Sequence, residues 1–557
     1  MDSSGKKLFY YLIVSLAVLA VLIMIIRYTM IMFPTKSQEY HEPLVSSRVQ
    51  RGTIFDRNGT ILAYETPYYS CAVLLREIDS IEKTADDLAL LTDMSKEEIL
   101  HKLEDRSTYA LIKKRLSDSE YQMLNDAISN RTLPGVTLEK RYGRIYPQQY
   151  HGAHVIGFTN IDNVGLSGIE YTFDRLLSPL PDPALDTTYG DDIYVTLDHR
   201  IQYAADQRCL EMIEEHKPDS AIILIMDAKT GELLSYTSYP WFDLNNYNTA
   251  EVEEKINRPI NSMYEPGSVF KIYSLAAILA IGEARTDELF LCDGSYTFTM
   301  DNGKSATINC LSTHGEVGPR EMLKLSCNGA VASWALQTND TQFYQYLHSF
   351  GFNEKTGIQM PGESGGMLQA SENWSGRSKP TIAFGQEIGT TALQITTAAT
   401  VFSNQGNLLK PKIVHAIYHQ DSETFSYSEP EIVRNVLSEN IAYDVLQMMK
   451  SGTEPGGTAI FAKREGIEVS AKTGTAQILD IETNSYSADH VLASTIAILP
   501  ADDPEYIIYV SADNPKGGFY YGSRVAAPTI EKISSDLVSM GLLKTDMSEI
   551  IYISNDQ

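Results

Sequence analysis

The stretch Pro266-Gly267-Ser268-Val269-Phe270-Lys271, followed by Ile272, Leu275, Ala276 and Leu279, sets a hydroxyl and an amine three residues apart where an apolar helix begins. Residues i and i+3 of a helix face the same way, so Ser268 is expected at a helix N-terminus with Lys271 beside it. A serine hydroxyl is a weak nucleophile alone, and an adjacent neutral lysine can act as its base. The positive end of the helix dipole also favours negative charge developing there. The bare spacing is weak, because Ser3, Ser4 and Ser80 also have Lys three positions on. What separates Ser268 is that Lys271 lies in an otherwise apolar helix, where an unpaired amine is costly.

Two further patterns each occur three times. Ser-x-Asn is found at Ser326-Cys327-Asn328, Ser371-Glu372-Asn373 and Ser438-Glu439-Asn440, and Lys-Thr-Gly begins at Lys229, Lys355 and Lys472. Lys229 falls in a hairpin turn and Lys355 after the loop signal Gly351-Phe352-Asn353-Glu354. Only Lys472-Thr473-Gly474-Thr475 lies within a strand-like run, Ile467 to Leu479, where Gly474 lets a substrate backbone approach closely. Ser326-Cys327-Asn328 falls inside a mostly apolar helical context. Ser371 and Ser438 start polar segments, where Ser is an ordinary helix cap.

In that order, Ser268/Lys271, Ser326/Asn328 and Lys472/Thr473/Gly474 resemble the set shared by penicillin-binding proteins and class A β-lactamases. Cys327 replaces the Asp of the usual Ser-Asp-Asn, a departure that counts against a β-lactamase more than against the family. Arg51-Gly52-Thr53-Ile54-Phe55-Asp56-Arg57-Asn58-Gly59 with Leu62-Ala63 looks like the box just outside the membrane in class B penicillin-binding proteins. Asp227 to Pro240, Asn257-Arg258-Pro259, Gly385-Gln386 with Leu393-Gln394, and Tyr521-Gly522 with Val525 to Pro528 also look like that class. Gly157 to Asp162 with Gly168-Ile169-Glu170 looks most like its cell-division (septal) subgroup.

The resemblance implies a D,D-transpeptidase acting on the D-Ala-D-Ala end of peptidoglycan stem peptides and acylated by β-lactams. Ser268 would attack the carbonyl with Lys271 as base, and the N–H groups of Ser268 and Thr475 would form the oxyanion hole. Ser326 and Lys472 would pass a proton to the leaving amine. Asn328 would hold the substrate amide, and Thr473 and Thr475 its terminal carboxylate. A membrane glycan polymerase and other division-complex membrane proteins are the implied partners; no metal or organic cofactor is implied. Rival outcomes are water as acceptor, an elongation role, or a β-lactam-binding receptor or scaffold.

Outward from these motifs, Ile193 to Leu197 reads as a strand and Arg200 to His216 as an amphipathic helix. Ala221 to Met226 and Glu232 to Ser238 read as a hairpin joined through Asp227 to Gly231. Helices are expected at Val269 to Ile281, Pro319 to Gln337, Thr341 to Phe350, Leu393 to Asn404 and Ser438 to Ser451. Strands return at Glu468 to Gln477, Val491 to Leu499 and Tyr506 to Ala512, before a closing helix from Ala526 to Met540. Strands, then helices, then strands and a helix imply an α+β fold: an antiparallel sheet with helices on both sides. This transpeptidase-type domain is expected over residues 192–545. Residues 42–191 mix short strands such as Tyr69 to Leu75 with polar helical stretches such as Asp86 to Leu103, and are expected to form an elongated α+β pedestal of the dimerisation type.

The chain has 557 residues, too many for one ordinary core. With 43% hydrophobic and 21% charged residues it reads as globular. A net charge of −27 argues against a nucleic-acid partner, which needs clustered Lys and Arg. Leu8 to Ile26 is uncharged and just long enough to cross a bilayer as a helix. Lys6 and Lys7 before it place the N-terminus in the cytoplasm. No small-residue cleavage site follows, which disfavours a signal peptide. The expected order is therefore a cytoplasmic tail (1–7), a single transmembrane anchor (8–33) in the cytoplasmic (inner) membrane, and everything later on the extracytoplasmic side. The five cysteines, Cys71, Cys209, Cys292, Cys310 and Cys327, are scattered without metal-ligand spacing. Cys292 and Cys310 flank a hairpin-like turn at Asp301-Asn302-Gly303 and are read either as a pair or as two free thiols.

Overall fold

The computed structural model describes residues 48–104, 108–300, 302–480 and 485–545, with a few helical positions between 19 and 27. The apolar run Leu8 to Ile26 lies largely outside the described residues, and among those described no helix is long and apolar enough to cross a membrane. The chain divides into two compact units, residues 1–48 with 181–188, and residues 49–180 with 189–557. In the first, the described part of 181–188 is mostly exposed turn. The second holds every motif singled out above from Arg51 onward.

Its centre is a five-stranded antiparallel sheet. Helix α1 (His199–His216) leads into β1 (Ser220–Asp227) and β2 (Leu233–Tyr239). The long middle of the chain follows, with helices α2 (Lys271–Ile281), α3 (Pro319–Leu325) and α4 (Asn328–Leu336). Strands β3 (Ser470–Asp480), β4 (Ser485–Leu499) and β5 (Tyr506–Asp513) precede the closing helix α5 (Ala527–Ser539). The strand order is β3-β4-β5-β1-β2, so β3 is an edge. Side chains alternate across a strand, and here both faces are apolar because both are covered. Ile222, Leu224, Ile496, Ile498 and Ile507 join the core around α2. Ile223, Ile225, Ala493, Ala497 and Ile508 pack on Ile201, Cys209 and Met212 of α1 and on Ile530, Ile533 and Leu537 of α5. The sheet with helices on both sides is thus as expected.

Three expected helices are broken, Leu393 to Asn404 among them, which divides at Ala399 into Ala392–Ala398 and Thr400–Ser403. Asp86 to Leu103 is split into Ile81–Leu91 and Lys96–Glu104. The break coincides with a reciprocal cap: Glu98 accepts from Ser95 N at 3.0 Å, and Ser95 Oγ accepts from Glu98 N at 3.3 Å. Pro319 to Gln337 is split between α3 and α4 at Ser326, which adopts a left-handed φ of 59°. A left-handed residue cannot continue a helix, and Cys327 behind it starts the next one as N-cap.

A second sheet passes from the N-terminal module into the one that follows it. Strand Ile54–Phe55 pairs in parallel with Asp192–Val195 and antiparallel with Ile61–Leu74. The long strand Ile61–Leu74 also pairs with Tyr109–Lys113 and Val136–Ile145 over a small core of its own that includes Val73, Leu88, Ile99 and Ile112. The box from Arg51 to Gly59 fastens this junction. Arg51 is buried, with Nε 2.7 Å from Glu170 Oε2 and Nη1 2.7 Å from Asp174 Oδ1, and it donates to the carbonyls of Asn163 and Glu170. Asp56 accepts from Asn58 N, Thr60 N and His199 N, and pairs with His199 Nδ1 at 2.8 Å, at the first residue of α1.

Removing one partner from a buried ion pair leaves the other charge without compensation and costs roughly 3–5 kcal/mol. Arg51→Ala is therefore expected to lower unfolding stability by about that amount, read by denaturant titration of the purified chain. The fraction that remains folded should acylate at Ser268 at the normal rate. A loss of stability under about 1 kcal/mol, the range of an exposed pair, would contradict this role for the Arg51 ion pairs.

Candidate active site

Ser268 sits in a 3-10 turn, Gly267–Phe270, which runs straight into α2. In that geometry residues i and i+3 eclipse, so the serine lies directly over Lys271. Helix α2 is buried on all sides through Ile278, and Lys271 is 0% exposed. Its Nζ lies 2.7 Å from Ser268 Oγ, 2.7 Å from Asn328 Oδ1, and 3.1 Å from both Ser326 O and Ser326 Oγ. None of these partners is a carboxylate. Burial pushes the Lys271 ammonium down to about 7 from an ordinary 10.5. Near neutral pH a substantial fraction of the amine is therefore in the free base form that a proton acceptor for Ser268 requires.

Lys472 is also 0% exposed. Its Nζ donates to Ser326 Oγ at 3.0 Å and to Thr473 O at 2.9 Å. Burial, and then the nearby Lys271, hold its pKa well below the usual lysine value. Ser326 Oγ thus stands between two amines, closing a continuous path Ser268–Lys271–Ser326–Lys472. The left-handed backbone at Ser326 presents both its carbonyl and its hydroxyl to Lys271. A strained non-glycine residue of this kind costs roughly 1–3 kcal/mol and persists where the surroundings over-determine it. Asn328 Nδ2 is taken by Asn309 O at 2.9 Å, which leaves Oδ1 turned to the lysine.

Strand β3 lies against the serine turn. A Cβ at Gly474 would come within 2.8 Å of Val269 Cγ2, 3.1 Å of Pro266 O and 2.6 Å of Ser494 Oγ. The glycine is therefore needed for the strand to reach the nucleophile's own turn, whereas the sequence suggested room for a substrate backbone. Gly267, at φ +56°, is its counterpart: a Cβ there would touch Ala476 Cβ at 3.0 Å. Thr473 Oγ1 donates to Thr458 Oγ1 at 2.9 Å, and Thr475 Oγ1 accepts from Gly522 N at 3.1 Å. Thr458, Asn309 and Gly385, whose carbonyl accepts from Gly267 N at 3.0 Å, support the site. Thr458 and Asn309 carry no motif that sequence reading could seize on.

All eight residues expected in the site converge, and the competing copies stay away. Lys229 is exposed and pairs with Asp503, and Lys355 is exposed on a loop. Ser80 and Ser438 are helix N-caps, and Ser371 opens a short 3-10 turn. Ser3 and Ser4 lie outside the described residues. For Cys292 and Cys310 the second of the two readings, free thiols, is the one the structure has. All five are free thiols, yet Cys292, Cys310 and Cys327 converge beside the site with His314.

Residues 221–535 match the penicillin binding protein transpeptidase domain, and residues 46–180 the penicillin-binding protein dimerisation domain. The chain is 31% identical over 517 residues to stage V sporulation protein D of Bacillus subtilis, covering 87% of this chain and 78% of that protein. It is 26% identical over 520 residues to the peptidoglycan D,D-transpeptidase FtsI of Escherichia coli K12, covering 89% and 83%. Penicillin binding protein 3 of Mycobacterium tuberculosis, solved in complex with aztreonam, shares the fold at a TM-score of 0.70 and 23% identity, over 90% of this chain and 98% of that one.

The rate at which a labelled penicillin acylates Ser268 is expected to rise with pH as Lys271 loses its proton. The sign follows from the base form being the deprotonated one, so the limb should have its midpoint at about 7 and level off above it. A rate still climbing towards the ordinary lysine value of 10.5 would refute a buried, neutral Lys271.

Proposed function

We infer the role of this chain from its family: it belongs to the penicillin-binding proteins that join a dimerisation module to a transpeptidase domain, and it is a peptidoglycan D,D-transpeptidase. The observation that carries the residue assignment is the buried Lys271 amine 2.7 Å from Ser268 Oγ, linked through Ser326 to Lys472. Lys271 takes the hydroxyl proton as Ser268 Oγ attacks the carbonyl between the two D-alanines of a stem peptide. The peptide bond breaks, and the path through Ser326 and Lys472 delivers a proton to the departing D-alanine amine. The resulting ester is attacked by an amine of a neighbouring stem peptide, which restores Ser268 and leaves a cross-link. Donors placed at the developing oxyanion commonly supply the largest share of such catalysis; the turn at Ser268 and strand β3 at Thr475 are adjacent elements for that task. A β-lactam enters by the same attack, and its ring opens without expelling the amine.

The likeness to FtsI and the segment Gly157 to Glu170 support a septal role, with a membrane glycan polymerase and other division-complex proteins as partners. Lys6, Lys7 and the run Leu8 to Ile26 support a single-pass anchor in the cytoplasmic membrane with the catalytic domain outside.

A reporter fused at Gln557 should be extracytoplasmic, and the mature N-terminus should retain Met1 or Asp2. N-terminal sequencing that starts beyond residue 30 would contradict the anchor.

The three Lys-Thr-Gly copies separate the site assignment from chance. Losing a transition-state contact commonly costs about a hundredfold in rate, whereas removing a surface lysine changes stability by less than about 0.5 kcal/mol. Lys472→Ala should slow penicillin acylation by roughly a hundredfold or more, while Lys229→Ala and Lys355→Ala leave it nearly unchanged, with folding checked by thermal melting. A normal rate in Lys472→Ala, or a label on a peptide lacking Ser268, would overturn the assignment.

A further inference from the structure

Four side chains that the reaction does not use meet beside the site. Cys292 ends a short strand, Phe290–Cys292; Cys310 follows the hairpin strand Ser305–Asn309; His314 precedes strand Gly315–Val317; and Cys327 is the N-cap of α4. Their ligand atoms all lie within 4.8 Å of one another. Cys292 Sγ is 3.7 Å from Cys310 Sγ and 3.4 Å from His314 Nδ1, and Cys310 Sγ is 3.8 Å from Cys327 Sγ. A tetrahedral zinc ion with Zn–S bonds of about 2.3 Å separates its sulfurs by about 3.8 Å, and a sulfur from a ring nitrogen by about 3.5 Å. A disulfide needs about 2.05 Å.

We propose that Cys292, Cys310, His314 and Cys327 form a structural zinc site that holds the Ser326–Asn328 corner in place. Three thiolates and an imidazole are the donor set that selects zinc, and four protein ligands leave no open position for a substrate. The surroundings suit thiolates: Gly329 N donates to Cys310 Sγ at 3.3 Å and Ala330 N to Cys327 Sγ at 3.5 Å, both from the first turn of α4. Cys292 and Cys327 are buried and the other two half-buried. The position gives the metal its role. Cys327 lies between Ser326 and Asn328, which both bond Lys271, and Asn309, next to Cys310, accepts from Asn328. The ion would tie the hairpin to the corner that orients the base, making these four positioning residues rather than catalytic ones.

The test uses the full-length chain purified in detergent without chelators, with zinc measured by mass spectrometry of the metal. About one zinc per chain is expected, and Cys310→Ser and His314→Ala should each lose it. Cobalt added to the stripped wild-type chain should show thiolate charge-transfer absorption and the visible bands of a tetrahedral ion, a readout that does not depend on any variant folding. Stripped wild-type protein should acylate Ser268 about tenfold more slowly or worse, the usual effect of losing a support behind a site, and zinc should restore it. No retained zinc together with no tetrahedral cobalt spectrum would overturn the site, as would a Cys292–Cys310 disulfide in the purified chain. Bound zinc whose removal leaves acylation unchanged would overturn its positioning role while leaving the transpeptidase assignment intact.

Discussion

The burial of the Lys271 amine is the constraint around which the rest is built. An ammonium enclosed by apolar side chains is costly, so the group is relieved by losing its proton and by hydrogen bonds to neutral oxygens. Ser268, Ser326 and Asn328 supply those oxygens. A carboxylate among them would hold the proton on the lysine and remove the base. The neutral partner set is therefore a chemical requirement as well as a packing solution. Lys472 follows the same logic from strand β3: burial, and then the nearby Lys271, disfavour its protonation.

Bringing these groups together demands close backbone approach. Edge strand β3 must pass within van der Waals contact of the turn that carries Ser268, which is met by glycine on each side, Gly474 and Gly267. The third element, the corner at Ser326 to Asn328, must turn sharply to reach the same lysine. A helix interrupted at a left-handed serine achieves that, because it offers the Ser326 carbonyl and hydroxyl and the Asn328 amide to one lysine from a single corner. The apolar packing of α2 among its neighbouring helices holds the base in place.

Much of this was legible in the sequence, for physical reasons. A lysine inside an apolar helix signals function because nothing else offsets its burial, and the third Lys-Thr-Gly copy stood out because only it lay in a strand. The sheet and its covering helices followed from near-continuous apolar runs such as Ala221 to Met226. The break at Ser326 was missed because the apolar runs on either side masked it: Cys327, Asn328 and Gly329 are weak helix formers, but a left-handed serine has no local signature of its own. The contact of Gly474 with the serine turn was not legible, because close approach by the chain's own backbone and by a substrate leave the same mark. The parallel pairing of Ile54–Phe55 with Asp192–Val195, which carries one sheet from the N-terminal module into the catalytic one, joins segments far apart in the chain and has no local pattern.

The cysteines show how a departure from a motif can carry structure. In Ser326-Cys327-Asn328 the outer residues both reach Lys271, while the middle side chain turns to the other side of the corner and meets Cys310. The middle position is therefore exempt from the chemistry of the site and open to whatever stabilises the corner from behind. Short spacing rules for metal sites assume ligands on adjacent turns of one motif. Here the ligands come from the ends of three short strands and a helix cap, so no interval in the sequence could reveal them. Strain at Ser326 and convergence at Cys327 are then two sides of one requirement: a corner held in an unfavourable backbone conformation needs an anchor, and the residue next to the strain is where the anchor attaches.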